Sequence, residues 1–153
     1  MNLSVSLPDE TATSALAARI FQALPSSALV CLHGNLGAGK TTFVRACLRA
    51  AGFQGAVKSP TFTLVEEYAL PGRSVFHFDL YRVNDPEELE WMGIRDYFRP
   101  DALCFIEWPD RGEGLLPEPD LELHLHIEGV ARRAELSART PAGREILARV
   151  RFP

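Results

Sequence analysis

Residues 29–42 read LVCLHGNLGAGKTT and set Gly34, Gly39, Lys40 and Thr41 at the spacing G-x-x-x-x-G-K-[ST], with Gly37 as a third glycine. The chemistry this permits is phosphate binding. Glycines let the backbone bend tightly and turn several N–H groups towards one anion. A helix beginning at the lysine aims its positive end at the same place. On this reading Asn35, Leu36, Gly37, Ala38, Gly39, Lys40, Thr41 and Thr42 form the nucleotide-binding loop. Lys40 supplies charge to the β- and γ-phosphates, and the Thr41 hydroxyl is a Mg2+ ligand. A plain glycine-rich turn is the alternative; the complete spacing and its strand and helix flanks disfavour it.

Two acids stand at the ends of apolar runs. Asp79 closes SVFHFD (74–79) and Glu107 closes ALCFIE (102–107), with Trp108 and Pro109 directly after. A phosphate loop needs such carboxylates to hold Mg2+ and to orient water. Asp79 and Glu107 are therefore read as catalytic and metal-binding residues together with Lys40 and Thr41. A structural salt bridge is the weaker reading of Glu107. Hydroxyls gather around a proline in Lys58-Ser59-Pro60-Thr61-Phe62-Thr63. Composition leaves open whether Ser59 and Thr61 belong to a nucleotide-sensing switch or to a loop entering the next strand. His124 and His126 share the polar face of an alternating segment, where facing water is favoured over binding metal.

These residues need a particular frame. The run 28–32 reads as a buried parallel strand and 40–51 as the helix after the loop. Residues 3–7 form a short strand, and 11–24 a helix with Ala12, Leu16, Ile20 and Ala23 on one face. Segments 64–70 and 74–79 turn about Pro71-Gly72 as a hairpin. Asp85-Pro86-Glu87-Glu88 starts a short helix, with Leu89, Met92 and Trp91 read as packing inward and Gly93 as its end. Residues 121–128 and 131–138 pair antiparallel across Gly129, and 141–150 is a closing helix. The fold class is α/β: a P-loop NTPase fold with a mostly parallel core sheet flanked by helices, an attached hairpin and antiparallel C-terminal strands. Ligands in such sheets bind at the carboxyl ends of the strands.

The bulk properties suit one domain over residues 1–153, with a net charge of −4 and 46% apolar residues. Residues 130–153 hold six Arg and two Glu (+4), so residues 1–129 carry −8. That acidic bulk leaves contact with tRNA indirect or weak, and the basic tail reads as a solvated face. No stretch is long and apolar enough for a membrane span, and no leader pattern opens the chain, so a cytoplasmic protein is expected. Cys31, Cys47 and Cys104 lack metal or C-x-x-C spacing and read as core thiols. Neither Lys40 nor Lys58 follows an Asn, so the Asn-Lys-x-Asp reader of guanine is absent and ATP is the expected nucleotide.

A resemblance now becomes specific. GNLGAGKTT (34–42), SPTFTLVEEY (59–68), HFDLYR (77–82), PEELEWMG (86–93) and IEWPDR (106–111) together resemble the bacterial TsaE family, in order over about residues 28–111. The resemblance implies a small Mg2+-dependent ATPase that acts with the TsaB–TsaD pair in tRNA threonylcarbamoyladenosine formation and permits its repeated turnover. It implies that Thr61 and its loop sense the nucleotide, that Asp79 and Glu107 flank metal and water, and that Trp108 lies against the nucleotide. Asn35 stands where the family often has an acid; both suit a turn. Arg82 and Arg111 are the candidates for a transition-state arginine. Without one positioned, hydrolysis by the monomer alone is expected near ~10⁻³–10⁻² s⁻¹. A small-metabolite kinase and a nucleotide-gated binding module with negligible turnover are the alternatives.

Overall fold

A computed structural model describes residues 2–151. Its strands are β1 (Asn2–Leu7), β2 (Ala28–His33), β3 (Val65–Leu70), β4 (Arg73–Asp79), β5 (Ala102–Glu107), β6 (Leu121–Glu128) and β7 (Ala131–Ala138). Its helices are α1 (Glu10–Ala23), α2 (Lys40–Ala50), α3 (Glu87–Trp91) and α4 (Pro141–Arg151), with 3₁₀ turns at Ile94–Tyr97 and Pro109–Gly112.

All seven strands join in one sheet, ordered β1-β7-β6-β2-β5-β4-β3. The central strands β6, β2, β5 and β4 run parallel. The flanks are antiparallel, β7 and β1 on one side and the β3–β4 hairpin on the other. Burial on both faces explains why β2 and β5 read as unbroken apolar runs. Val30 and Leu32 face a core built with α1, α2 and α4, where Ile20, Phe43, Leu48 and Leu147 pack. Leu29 and Cys31 face the second core with Phe76, Phe78, Leu89 and Ile106.

Local chemistry sets the helix ends. The Asp9 carboxylate accepts the Ala12 N–H at 2.9 Å, so α1 begins at Glu10, one residue before the sequence reading. Leu24 is already extended ahead of Pro25. Glu88 accepts the N–H groups of Asn84 and Asp85, while Asp85 accepts that of Glu87. Glu88 thus supplies one half of a capping box, while Asp85 accepts from the residue two places on, one short of the other half. Trp91 does not pack inward: it is 87% exposed. In a five-residue helix with Leu89 facing the core, the residue two places on points away. Gly93 ends α3 in the left-handed region at φ 73°. The three thiols are free and buried. No helix among the described residues is long and apolar enough to cross a membrane.

Candidate functional site

The loop between β2 and α2 is shaped by two different demands on glycine. Gly34 has φ 150°, and a Cβ there would lie 2.7 Å from the Leu125 carbonyl oxygen, so close approach of β6 excludes a side chain. Gly37 and Gly39 have φ 83° and 107° with open space around them, so there the backbone conformation alone calls for glycine. Gly39 caps α2 without a side-chain hydrogen bond. The first N–H groups of α2 thus face the loop mouth, a ready site for an anion.

Lys40 is 5% exposed. Its ammonium donates to the Gly34 carbonyl oxygen and sits 3.8 Å above the Trp108 ring. Burial pulls its pKa below the ordinary lysine value, against the upward pull of Glu107 and Asp79. Trp108 holds φ 57°, an uncommon conformation for a bulky residue, at the turn leaving β5. That turn brings its ring over the lysine.

Strand order brings the two acids together. β4 lies beside β5 in parallel register, and Asp79 pairs with Glu107. Both are buried, 7% and 3% exposed. Thr41 Oγ1 donates to Glu107 Oε2 at 2.8 Å. Asp79 Oδ1 accepts the Tyr81 N–H at 3.0 Å. Its Oδ2 stands 3.5 Å from Thr61 Oγ1, which is 2.7 Å from Ser59 Oγ. The 59–63 loop is therefore tied, loosely, to the acid that ends β4. A hydroxyl and two carboxylates form an all-oxygen donor set that fits a hard cation such as Mg2+.

Two further residues belong to this site and are not singled out by the sequence reading. His77, fully buried, has Nε2 2.6 Å from Glu107 Oε2. Its Nδ1 is buried without a partner, so the tautomer that strands no donor keeps the hydrogen on Nε2 and donates it to Glu107. Arg132, on β7, donates from Nε to the Ala38 carbonyl and from Nη2 to the Gly37 carbonyl, each at 3.2 Å. The basic C-terminal run is thus more than a solvated face. Arg139 and Arg133 also pair with Glu122 and with Glu128 and Glu135. The two sequence candidates for a transition-state arginine lie over rings that flank the site. Arg82 lies over Phe62 at 4.6 Å, and Arg111 lies over Tyr81 at 5.7 Å.

Known proteins resemble this chain in sequence and in fold. Residues 7–135 match the family model "Threonylcarbamoyl adenosine biosynthesis protein TsaE". The Haemophilus influenzae tRNA threonylcarbamoyladenosine biosynthesis protein TsaE is 55% identical over 119 residues, 78% of this chain and 75% of that one. The Bacillus subtilis protein of the same name is 38% identical over 122 residues, 80% of this chain and 75% of that one. The Aquifex aeolicus one is 43% identical over 109 residues, 70% and 77% respectively. In fold, the crystal structure of Bacillus subtilis YdiB superposes with a TM-score of 0.85 at 24% identity, over 99% of this chain and 95% of that one. The chain belongs to the TsaE family of threonylcarbamoyladenosine biosynthesis proteins.

Proposed function

We propose that this chain is a slow Mg2+-dependent ATPase, working as one cytoplasmic domain, that serves tRNA threonylcarbamoyladenosine formation together with TsaB and TsaD. The observation that carries the reading is the Thr41–Glu107 hydrogen bond at 2.8 Å, beside Asp79 and at the mouth of the phosphate loop. Thr41 and Glu107 would hold Mg2+, with Asp79 next to them. The ion would neutralise charge on the β- and γ-phosphates as it develops.

The chain's own residues do the rest. Loop N–H groups receive the phosphates, and the Lys40 ammonium moves from the Gly34 carbonyl onto them. Asp79 accepts a hydrogen bond from the attacking water, and Thr61 links that carboxylate to the rest of the 59–63 loop. Trp108 packs against the nucleotide. A hollow beside the loop is lined by Asp9, Glu10, Val130 and Arg132. Its carboxylates can accept from the exocyclic amine of a base, and the choice of adenine rests on the missing Asn-Lys-x-Asp reader of guanine. Arg82 and Arg111 lie over Phe62 and Tyr81 beside the site, and turnover is proposed to be slow in the isolated monomer and faster with partners. Contact with tRNA would pass through those partners.

Single-turnover hydrolysis of ATP, with and without TsaB–TsaD, tests the reading. The chain alone should turn over near ~10⁻³–10⁻² s⁻¹, and the partners should raise that rate. Equal rates would remove the acceleration. Phosphate release absent under both conditions, with nucleotide-dependent binding to TsaB–TsaD retained, would make the chain a gated binding module instead.

A further inference from the structure

A second cluster of chemical groups lies away from the phosphate site. His33 ends β2 and pairs in register with His124 of β6, and Glu122 lies two residues before His124 on the same face. One ligand atom from each of the three lies within 4.8 Å of the others. His33 Nε2 is 3.3 Å from Glu122 Oε1. The two imidazoles stack with centroids 4.2 Å apart and planes 6° apart. Arg139 Nε donates to Glu122 Oε2 at 2.7 Å, which leaves Oε1 turned to the histidines. His126 stands one step further along β6, its ring 6.4 Å from that of His124 and its Nε2 3.5 Å from Glu135.

We propose that His33, Glu122 and His124 form a site for a borderline divalent transition-metal ion, with Zn2+ as the type. Two imidazoles and one carboxylate are the donor set such ions prefer, and three protein ligands leave one tetrahedral position open. Bonds of about 2.0–2.1 Å place two ligand nitrogens about 3.3 Å apart in a tetrahedral site. The stacked rings must tilt out of parallel for their in-plane lone pairs to converge at that spacing, while the parallel ladder between β2 and β6 holds the backbones fixed. Arg139 supplies the outer-shell hydrogen bond that orients the ligating carboxylate. Mg2+, which takes oxygen ligands, is directed to Thr41 and the acids instead. His33 directly precedes Gly34, so an ion here also braces the base of the phosphate loop.

The test is titration of the chelator-treated intact chain with Co2+ and Zn2+ in excess Mg2+. One equivalent of Co2+ should give visible ligand-field bands that Zn2+ displaces, and Zn2+ should raise the unfolding temperature. His33→Asn and His124→Gln should each weaken binding by ~10-fold or more. Glu122→Gln, closest in shape to the parent, serves as a third variant should either fold poorly. His126→Gln should bind as the parent does. Absence of saturable Co2+ binding, a sulfur-to-cobalt charge-transfer band, or binding by the His33 and His124 variants as tight as the parent's would overturn the proposal.

Discussion

Thr41 Oγ1 and Glu107 Oε2 lie 2.8 Å apart although 66 residues separate them in sequence. The bond joins the first turn of α2 to the end of β5, and so fixes the phosphate loop against the strand that carries the acid. The same carboxylate oxygen also takes His77 Nε2 at 2.6 Å. Glu107 is thereby held between two donors in a buried place, where a charge-assisted bond contributes about 1.5–3 kcal/mol.

Glu107→Gln keeps the shape and one carbonyl acceptor but removes the charge. Hydrolysis should fall by ~10²-fold or more, as when one preorganised electrostatic group is removed from an active site. The unfolding temperature without nucleotide should also fall, by a few degrees, because the bonds from Thr41 and His77 lose their charge assistance. Single-turnover phosphate release and a thermal melt check both halves. A variant that hydrolyses ATP as fast as the parent would take Glu107 out of the mechanism.

Two glycines separate stability from loop conformation. A Cβ at Gly143 would lie 1.8 Å from the Asp120 carbonyl oxygen. Asp120 cannot retreat cheaply: its carboxylate accepts from Leu29 N at 2.9 Å and Thr140 Oγ1 at 2.6 Å, and its carbonyl accepts from Arg139 N at 3.0 Å. Gly143→Ala should therefore destabilise by about 3 kcal/mol or more, from overpacking and displaced hydrogen bonds. Gly37→Ala meets no atom within 4 Å but must hold φ 83°, at a cost of about 1–2 kcal/mol. Urea unfolding should rank Gly143→Ala as the less stable, while Gly37→Ala should lose more affinity for Mg–ATP. The reverse ranking would show that the loop, and not the α4 contact, limits stability.

The features legible in the sequence are the local ones. An apolar run, glycines at fixed offsets and an acid closing each run are all short-range, and they place Lys40, Thr41, Asp79 and Glu107 at strand or helix ends. What pairs Asp79 with Glu107 is the adjacency of β4 and β5, and strand order is not written in either segment. His77 is hidden for the same reason, since in SVFHFD it reads as one more strand residue. Arg132 and Arg133 are indistinguishable in ARRAEL, and only the pleat of β7 turns the first towards the phosphate loop and the second towards Glu128 and Glu135. Trp91 misled because a five-residue helix has too few turns to define an inward stripe.

The thiols set an alkaline limit on stability. Burial pushes Cys31 and Cys104 up to about 12 from an ordinary 9.0, and raises Cys47 further. Their contribution is complete below pH 9. Above it the unfolded chain releases thiol protons that the folded chain retains, so stability falls as pH rises. The slope is about 1.4 kcal/mol per thiol per pH unit. Lys40, lowered by burial, runs the opposite way but is one group against three. Urea unfolding at pH 8, 9 and 10 should show a steep loss above pH 9, and Cys47→Ala should be shallower by about one thiol's slope. A flat profile to pH 10 would contradict the burial of these groups.

Arg132 provides the most distant support of the phosphate loop. Its guanidinium spans the Gly37 and Ala38 carbonyl oxygens at 3.2 Å each. Those carbonyls belong to the segment whose N–H groups must converge on an anion, so holding them outward turns the N–H groups inward. The positive charge also lies beside the hollow lined by Asp9, Glu10 and Val130. Removing it should weaken nucleotide binding through the loop while leaving the hydrophobic core intact. Arg132→Ala is expected to lower Mg–ATP affinity by roughly tenfold, the equivalent of ~1.4 kcal/mol. Arg133→Ala removes a cation from the next position, whose partners Glu128 and Glu135 are surface acids, and should bind Mg–ATP as the parent does. Thermal shifts with and without Mg–ATP for both variants decide the matter. Equal loss in the two would reduce the effect to net charge, and no loss in Arg132→Ala would show that the glycines alone hold the loop open to phosphate.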